Sequence, residues 1–151
     1  EVGAAVGMAY GNIVAAESSV DLNLAKQLNI LITQLGIQPN RLVMNPGCAA
    51  VGYGFEYVVT TMDRIRLAAL EQNDTTLQVP MISPVSFETW KVKESIITED
   101  EMPEWGNQED RGVGMEISTA VGVLSAGANA VILRHPRSVE VIRNFIYQMT
   151  E

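Results

Sequence analysis

Four short apolar runs divide the chain, and each is followed by a longer segment in which apolar residues recur at helical spacing. The runs cover residues 12–17, 41–45, 78–83 and 129–134. Their length and the turn residues that bound them predict β-strands. Because the runs are nearly all apolar rather than alternating, they predict strands of a parallel sheet that is covered on both faces.

The segments between the first runs predict amphipathic helices. Residues 1–10 are typical of the end of a helix that Gly11 closes, and the next helix stops at Gly36. Ser18, Ser19 and Asp21 offer caps for that second helix. Spacing of three and four residues predicts the buried faces of the two helices that follow the first and second strands, with Leu24, Leu28, Leu31 and Leu35 on one and Phe55, Val59, Met62, Ile65 and Ala69 on the other.

The second half of the chain is less regular. A long stretch through Trp90 and Trp105 separates the third strand from a helix at about 111–125, which ends at Gly127. Pro80 lacks the N–H that a sheet ladder needs, so we expect it at the start of the third strand. After the fourth strand, the pattern predicts a last helix that Pro136 and Ser138 open and that buries Val141, Ile142, Phe145 and Met149.

Strands followed by helices in repeated order imply parallel pairing through right-handed crossovers. Two α/β architectures satisfy this order: half of a (β/α)8, or TIM, barrel, and a small doubly wound sheet. The leading helix and a strand spacing of roughly 30 to 50 residues favour the half barrel. We therefore expect residues 1–151 to form one partial TIM-barrel domain of four parallel β/α units, with ligands at the carboxyl ends of the strands.

Composition places the chain in the globular class, with 47% apolar and 19% charged residues. The apolar runs break well short of the roughly 20 residues of a membrane span, and no basic-then-apolar leader precedes them. We therefore expect neither membrane insertion nor secretion. Because the sequence lacks an initiator Met and opens within a predicted helix, we expect it to be a piece of a larger protein.

Charge and cysteine content exclude further classes. The net charge of −8 disfavours nucleic-acid binding, which needs a basic surface. Cys48 is the only cysteine, so the chain alone cannot hold a disulfide, a tetrathiolate zinc ion or a cubane iron–sulfur cluster, and any cluster must lie on another polypeptide in the cytoplasm. A group of acidic residues is a solvated loop or, alternatively, a contact for a basic partner: Glu99, Asp100, Glu101, Glu104, Glu109 and Asp110.

The carboxyl ends of the predicted strands supply the candidate functional residues. A nucleophile–base pair of Cys48 and His135 is disfavoured, because nothing in the sequence brings the two together. Arg134 is a stronger candidate, since a guanidinium there could hold a carboxylate or phosphate, whereas a structural hydrogen bond is the favoured role of His135. Glu17 suits either acid–base chemistry or a helix N-terminus. The full set is Glu17, Ser18, Ser19, Asn45, Pro46, Gly47, Cys48, Ser83, Pro84, Ser86, Arg134, His135 and Pro136.

Two connecting segments carry weaker signals. The glycine-rich segment 47–54 matches neither a dinucleotide fingerprint nor a phosphate loop. Tyr53 and Tyr57 flank its turn at helical spacing, which predicts packing in the core. The acidic, proline-containing stretch between Trp90 and Trp105 is long enough to form a lid or a docking surface.

Several strings in a fixed order carry a family resemblance. Residues 21–37 and 45–70 contain AKQLNI and GYGFEY, and LQVPMIS, MPEWG and Arg134-His135-Pro136 follow them. Together these strings resemble the small, or delta, subunit of the corrinoid iron–sulfur protein of the carbon monoxide dehydrogenase/acetyl-CoA synthase (acetyl-CoA decarbonylase/synthase) system. The resemblance covers nearly the whole chain.

This resemblance implies a TIM barrel of which the chain forms the C-terminal four β/α units. It implies a large, or gamma, subunit as partner, which carries the iron–sulfur cluster and the corrinoid-binding domain. The small subunit, itself non-catalytic, is expected to scaffold and cap the corrinoid (a cobamide) at the subunit interface. In that family the cobalt accepts a methyl group from a methyl-tetrahydropterin and passes it to acetyl-CoA synthase, so the methyltransferase and the synthase are expected as transient partners.

The resemblance also implies a set of corrinoid contacts. No Asp-x-His-x-x-Gly run is present, so His135 is not expected as a lower cobalt ligand. Two alternatives stay open: a pterin-dependent methyltransferase in which Asn45 hydrogen-bonds the pterin, and a purely architectural assembly domain. A half barrel is expected to need its missing half, a second copy or a partner at its sheet edges. The implied contacts are Ser18, Asn45, Gly47, Gly52, Ser83, Arg134 and His135.

Overall fold

The computed structural model describes residues 2–150 and alternates strands with helices, as the sequence pattern predicts. Short 3-10 turns lie at 39–41, 75–77 and 103–105. The elements in chain order are α1 (Val2–Tyr10), β1 (Val14–Glu17), α2 (Leu22–Gln34), β2 (Leu42–Asn45), α3 (Phe55–Leu70), β3 (Ile82–Ser83), α4 (Val85–Thr89), α5 (Lys93–Ile96), α6 (Gln108–Ser125), β4 (Ala130–Val131) and α7 (Pro136–Thr150).

The strands run parallel and pair in sequence order. β1 pairs with β2 from Val14–Leu42 to Glu17–Asn45, and β3 pairs with β4. A parallel bridge between Met44 and Met81 joins the two pairs, and the Met44 N–H donates to the Pro80 carbonyl at 2.8 Å. The predicted parallel α/β class is confirmed.

β3 and β4 are shorter than the sequence predicts. Residues 75–77 form a 3-10 turn, and Pro80 lies just before the strand, where its missing N–H is tolerated. At the start of β4 the Asn129 side chain takes the place of a backbone partner, because its Oδ1 accepts from the Met81 N–H at 3.0 Å. Pairing continues one residue beyond β4, where the Ile132 N–H donates to the Ser83 carbonyl at 2.9 Å.

One face of the sheet carries the core. Met44 and Met81 are fully buried among residues of α3 and α6, Met62 among them. Alternate strand positions point to the opposite face, which is partly open within residues 2–150. The prediction that both faces are covered is therefore wrong for the described residues, because their helices pack against one face. The exposed or half-buried positions of the open face are Ala15, Glu17, Val43, Asn45, Ile82 and Ala130.

The predicted inner face of α2 is wrong. Leu24, Leu31 and Leu35 are exposed and Leu28 is half-buried. The inward positions are instead occupied by a small residue, Ala25, and by Asn29. The Asn29 amide donates to the Thr76 carbonyl at 2.8 Å, so the contact between α2 and the turn at 75–77 depends on a hydrogen bond rather than on leucine packing.

The predicted faces of α3 and α7 fare differently. In α3, Met62, Ile65 and Ala69 are buried and Phe55 and Val59 are half-buried, which confirms the pattern. In α7, Ile142 is buried and Phe145 half-buried, but Val141 and Met149 are exposed, so that prediction is wrong at two of four positions.

An apolar groove explains part of the exposure of α7. It has a volume of about 760 Å³ and runs between α7 and the residues of β4 and its extension. Among residues 2–150, none of the helices has both the length and the apolarity needed to cross a membrane.

Candidate functional site at the carboxyl ends of the strands

The loops after β1 and β2 are hydrogen-bonded to each other. The Ser18 N–H donates to the Asn45 carbonyl at 3.0 Å, and the Val20 N–H donates to the Pro46 carbonyl at 2.8 Å. The Asn45 Oδ1 accepts from the Gly47 N–H at 3.0 Å, which closes the second loop on itself. The structure therefore brings together Ser18, Asn45 and Gly47, because the carboxyl ends of adjacent parallel strands meet at one edge.

The first of these loops holds a strained backbone. Ser19 and Val20 both have positive φ, at 46° and 58°, and this region is rare for a β-branched residue. Two contacts maintain the conformation: the Val20 N–H bond to Pro46 and a bond from the Thr61 hydroxyl to the Val20 carbonyl at 3.2 Å. Strain of this kind is concentrated at functional sites. The sequence offered no signal for it, since neither residue type is typical of the left-handed region.

Gly47 and Gly52 have different reasons to be glycine. Both have positive φ, at 96° and 85°. A Cβ at Gly47 would lie 3.4 Å from the Val20 nitrogen, an ordinary van der Waals contact, so this glycine lies where the two loops pack together. A Cβ at Gly52 would meet no atom of the described residues within 4 Å, which leaves the surface above it open.

Ser18 and Ser83 are completely buried. Among residues 2–150, neither hydroxyl has a nitrogen or oxygen partner in hydrogen-bonding geometry. Both serines therefore pack beneath the surface at the carboxyl ends of β1 and β3, and they do not present a hydroxyl at that surface.

Cys48 is half-buried, and its surroundings disfavour the reactive thiolate form. Burial is the main cause that raises the pKa of its thiol, and the negative charge of Glu88 raises that pKa further. Weak contacts of the sulfur with Ser83 and the Ala49 carbonyl offset this only in part. Since the thiolate is the nucleophilic form, the structure does not favour Cys48 as a nucleophile.

Glu116 of α6 organises the loop after β4 and was missed by sequence reasoning. Its side chain is fully buried, and its two oxygens accept from the backbone N–H groups of Arg134 at 2.6 Å and His135 at 3.2 Å. The available signal was that Glu116 is the one acidic residue of α6 after its first turn, among apolar and small residues. Burying a charge is tolerated when hydrogen bonds satisfy it, so this carboxylate has a structural reason to be there.

His135 is held on both sides of its ring. Its Nε2 lies 3.2 Å from Glu109, and its Nδ1 accepts from the Arg137 N–H at 3.2 Å. The ring also stacks on Trp90, with centroids 6.0 Å apart. These contacts agree with the structural role predicted for His135, and none of the described hydrogen bonds links it to Cys48.

Arg134 lies against the same tryptophan. Its guanidinium carbon is 5.2 Å from the centre of the Trp90 ring, a cation–π contact. Two grooves adjoin this pair, one of about 450 Å³ toward Phe87 and Lys91 and one of about 330 Å³ toward Glu109 and His135. The strand ends thus form two groups, one around Asn45 and one around Arg134.

The predictions for the aromatic residues need two corrections. Tyr53 and Tyr57 are exposed rather than packed in the core, because Tyr53 lies in the turn before α3 and Tyr57 lies on the outer side of the first turn of α3. The Tyr53 hydroxyl donates to Glu94 at 2.9 Å, and this bond is the main cause that raises the pKa of Tyr53. The stretch from Trp90 to Trp105 contains α5 and a 3-10 turn, and it packs along α6 rather than forming a free loop.

A sequence-ordered parallel sheet with its polar side chains at the carboxyl ends defines an α/β protein of the class that carries its site in the loops above the strands. The profile of the family described as "CO dehydrogenase/acetyl-CoA synthase delta subunit" matches residues 2–149. The chain belongs to this family.

Curated relatives agree with the family match. "Acetyl-CoA decarbonylase/synthase complex subunit delta 2" of Methanosarcina acetivorans is 36% identical over 144 residues, which cover 93% of this chain and 33% of the relative. The corresponding delta subunits of Methanopyrus kandleri and Archaeoglobus fulgidus are 38% and 34% identical, over 94% and 89% of this chain and 34% and 30% of each relative. The chain thus spans about a third of the length of these relatives.

Proposed function

We propose that the strand-end loops of this chain cap a corrinoid that a larger gamma subunit holds, as part of an acetyl-CoA decarbonylase/synthase complex. The observation that carries the proposal is the interlocked pair of loops after β1 and β2. The bonds Ser18–Asn45 and Val20–Pro46 fix their backbone, and the one thiol of the chain is kept neutral beside them. A surface that covers a reactive cofactor needs this combination of rigidity and low nucleophilicity.

The residues at the strand ends fit a corrinoid. When bound, this cofactor supplies a cobalt ion that accepts and releases a methyl group. Its rim carries amide groups, which suit neutral polar partners and small residues. Asn45 uses its Oδ1 within its own loop and presents its amide nitrogen, while Gly52 leaves open space for close approach. Ser18 and Ser83 are buried, so we expect them to support the loops from beneath rather than to contact the corrinoid.

We also propose that these four β/α units are the C-terminal half of a (β/α)8 barrel. Parallel strands in sequence order with their helices on one face suit a barrel, whereas a doubly wound sheet carries helices on both faces. The open face with Ala15, Val43 and Ile82 would then line the barrel interior. The longer relatives have the additional length that the other strands require.

On this proposal the chain is a cytoplasmic, non-catalytic part of its complex. Its partners are the gamma subunit, which carries the iron–sulfur cluster, and transiently a methyltransferase and acetyl-CoA synthase. Residues 2–150 hold no group of three or more His, Cys, Asp or Glu side chains placed to bind a metal ion.

Association with the gamma subunit under anaerobic conditions tests the cap. We expect Gly52→Phe in the intact protein to weaken the complex about tenfold or more, because a bulky side chain would fill the approach to the corrinoid. Gly11→Phe is the matched control: Gly11 also has positive φ (71°) and open space, but it precedes β1 at the opposite edge of the sheet. Hydrogen exchange should show protection of residues 45–54 in the complex.

Three results would contradict the proposal. Equal effects of Gly52→Phe and Gly11→Phe would assign the loss to folding rather than to the interface. Unchanged association and methyl transfer with Gly52→Phe and Asn45→Ala would leave a purely architectural domain. Saturable binding of a methyl-tetrahydropterin by the protein without its partners would favour the methyltransferase alternative.

A further inference from the structure

Arg134 is fixed at both ends of the residue. Its backbone N–H is bonded to the buried carboxylate of Glu116 at 2.6 Å, and its guanidinium lies over Trp90 at 5.2 Å. The tryptophan is itself held, because its six-membered ring lies against the bare backbone of Gly112 in α6. A ligand that binds this guanidinium therefore has little side-chain freedom left to restrict.

The guanidinium of Arg134 has no carboxylate partner within residues 2–150. The acidic residues nearby are engaged elsewhere: Glu109 faces His135 and Arg137, and Asp110 lies 2.7 Å from Arg137. An arginine without an acidic partner is available to an anion, and its planar fork suits phosphate or carboxylate. The positive charge of Arg134 is thus available to an anion even though the chain as a whole carries a net charge of −8.

The groove beside Arg134 supplies a second cation and an apolar wall. Lys91 lines it, and its one salt bridge within residues 2–150 is to Glu88 at 3.1 Å, an exposed ion pair of little strength. Phe87 also lines it and is 59% exposed, although a phenyl ring gains by burial. A volume of about 450 Å³ falls within the usual range for small-molecule sites, about 300–1,000 Å³.

We propose that the groove between α4 and the end of β4 binds an organic phosphate, with the phosphate between Arg134 and Lys91 and the apolar part of the ligand against Phe87. Phosphate is favoured over carboxylate because two cations, Lys91 after α4 and Arg134 after β4, line the groove, and a phosphate monoester carries about −1.5 to −2 charge with three acceptor oxygens. The neighbouring groove on the other side of Trp90 contains Glu109, which would repel the same anion. This inference depends on the Arg134 groove alone and holds whether or not the strand-end loops cap a corrinoid.

Trp90 lines the groove, so fluorescence quenching of the intact protein that is lost in its Trp90→Phe variant reports binding at this site. The probes are phenyl phosphate, inorganic phosphate and benzyl alcohol. We expect saturable quenching by phenyl phosphate, weaker binding of inorganic phosphate and none of benzyl alcohol. Arg134→Gln should weaken both phosphates about tenfold or more, and Phe87→Ser should weaken phenyl phosphate alone by about threefold. Arg64→Gln, an exposed arginine on α3, is the matched control and should change nothing.

Several outcomes would overturn the proposal. Phenyl phosphate that fails to saturate, or that binds equally well to Arg134→Gln and the parent, would exclude the groove as its site. An equal loss in Arg64→Gln would show non-specific attraction to positive charge. Saturable binding of a phosphopeptide without binding of phenyl phosphate would assign the groove to a protein partner instead. Arg134→Lys keeps the positive charge and is a second test in case Arg134→Gln fails to fold. Intermediate affinity of this variant supports the proposal, whereas full affinity contradicts recognition by the guanidinium fork.

Discussion

Gly112 lies directly against the indole of Trp90. A Cβ built at position 112 would be 2.4 Å from Cζ3 of that ring, closer than folded proteins allow. Trp90 in turn contacts the guanidinium of Arg134 and stacks on the ring of His135. The contact between Gly112 and Trp90 therefore positions these side chains at the end of β4. Position 112 of α6 thus requires glycine because of packing and not because of its backbone conformation.

Gly112→Ala should therefore destabilise the protein even though alanine is the better helix former by about 1 kcal/mol. The clash with the half-buried Trp90 ring is expected to outweigh that gain and to lower the free energy of unfolding by about 1–3 kcal/mol. Gly114→Ala is the matched control, since a Cβ there meets nothing within 4 Å, and it should be neutral or stabilising. Urea unfolding followed by tryptophan fluorescence measures both, and equal stability of the two variants would refute the packing argument.

Gly47→Ala should destabilise the paired loops more than Gly52→Ala does. Both positions have similar positive φ, so both variants lose about 1 kcal/mol from backbone strain. Only position 47 is enclosed: Gly47 is buried and an added methyl group would already touch the Val20 nitrogen at 3.4 Å, so the strained backbone has less room to relax there. Thermal unfolding gives the difference between the variants. Equal losses would mean that the two loops separate without resistance.

Strand ends and one helix face were predictable because their signals are local. Apolar runs with turn residues gave the ends of β1 and β2, and parallel pairing then required the Ser18 and Asn45 loops to meet, as they do. The spacing of Met62 and Ile65 likewise identified the buried face of α3. In α3 the residues that set this spacing, Met62 and Ile65, are also buried.

The inner face of α2 was not predictable from the same pattern. Its leucines outnumber its small residues, yet Ala25 and Asn29 face inward while Leu31 is 55% exposed. Close contact with the turn at 75–77 requires a short side chain and a hydrogen bond to Thr76, and neither requirement appears as hydrophobic periodicity. The role of Glu116 was not predictable for the same reason, since its hydrogen-bond partners are backbone N–H groups far along the chain.

Glu116→Gln should loosen the loop after β4. The carboxylate accepts two backbone hydrogen bonds, whereas the amide can accept with its oxygen only and turns a donor toward the second N–H. A loss of about 1–3 kcal/mol follows from one unsatisfied buried N–H. Glu140→Gln, exposed on α7, is the control and should have little effect. Hydrogen exchange should show faster exchange at Arg134 and His135 in the first variant, and unchanged exchange there would contradict the role of Glu116.

The ion pair between α2 and the turn at 75–77 makes stability depend on pH. Lys26 lies 2.5 Å from Asp74, and this hydrogen bond is the main cause that lowers the pKa of the Asp74 carboxyl, with bonds from Thr76 adding to the effect. Because the folded pKa lies below the unfolded value of about 3.9, the stabilisation is fully present above that value and is lost as the pH falls through the folded pKa. Asp74→Asn should therefore lower stability at pH 7 by about 1 kcal/mol or less, since Lys26 is well exposed.

The difference between Asp74→Asn and the parent should narrow as the pH falls below about 4, where the carboxyl of the unfolded parent begins to take up a proton. Asp63→Asn, an exposed aspartate on α3, serves as the control and should show no comparable change. Chemical unfolding at pH 7, 5 and 3 measures the three proteins. A difference that stays constant down to pH 3 would mean that the Thr76 contacts, rather than the charge of Asp74, account for the effect of the substitution.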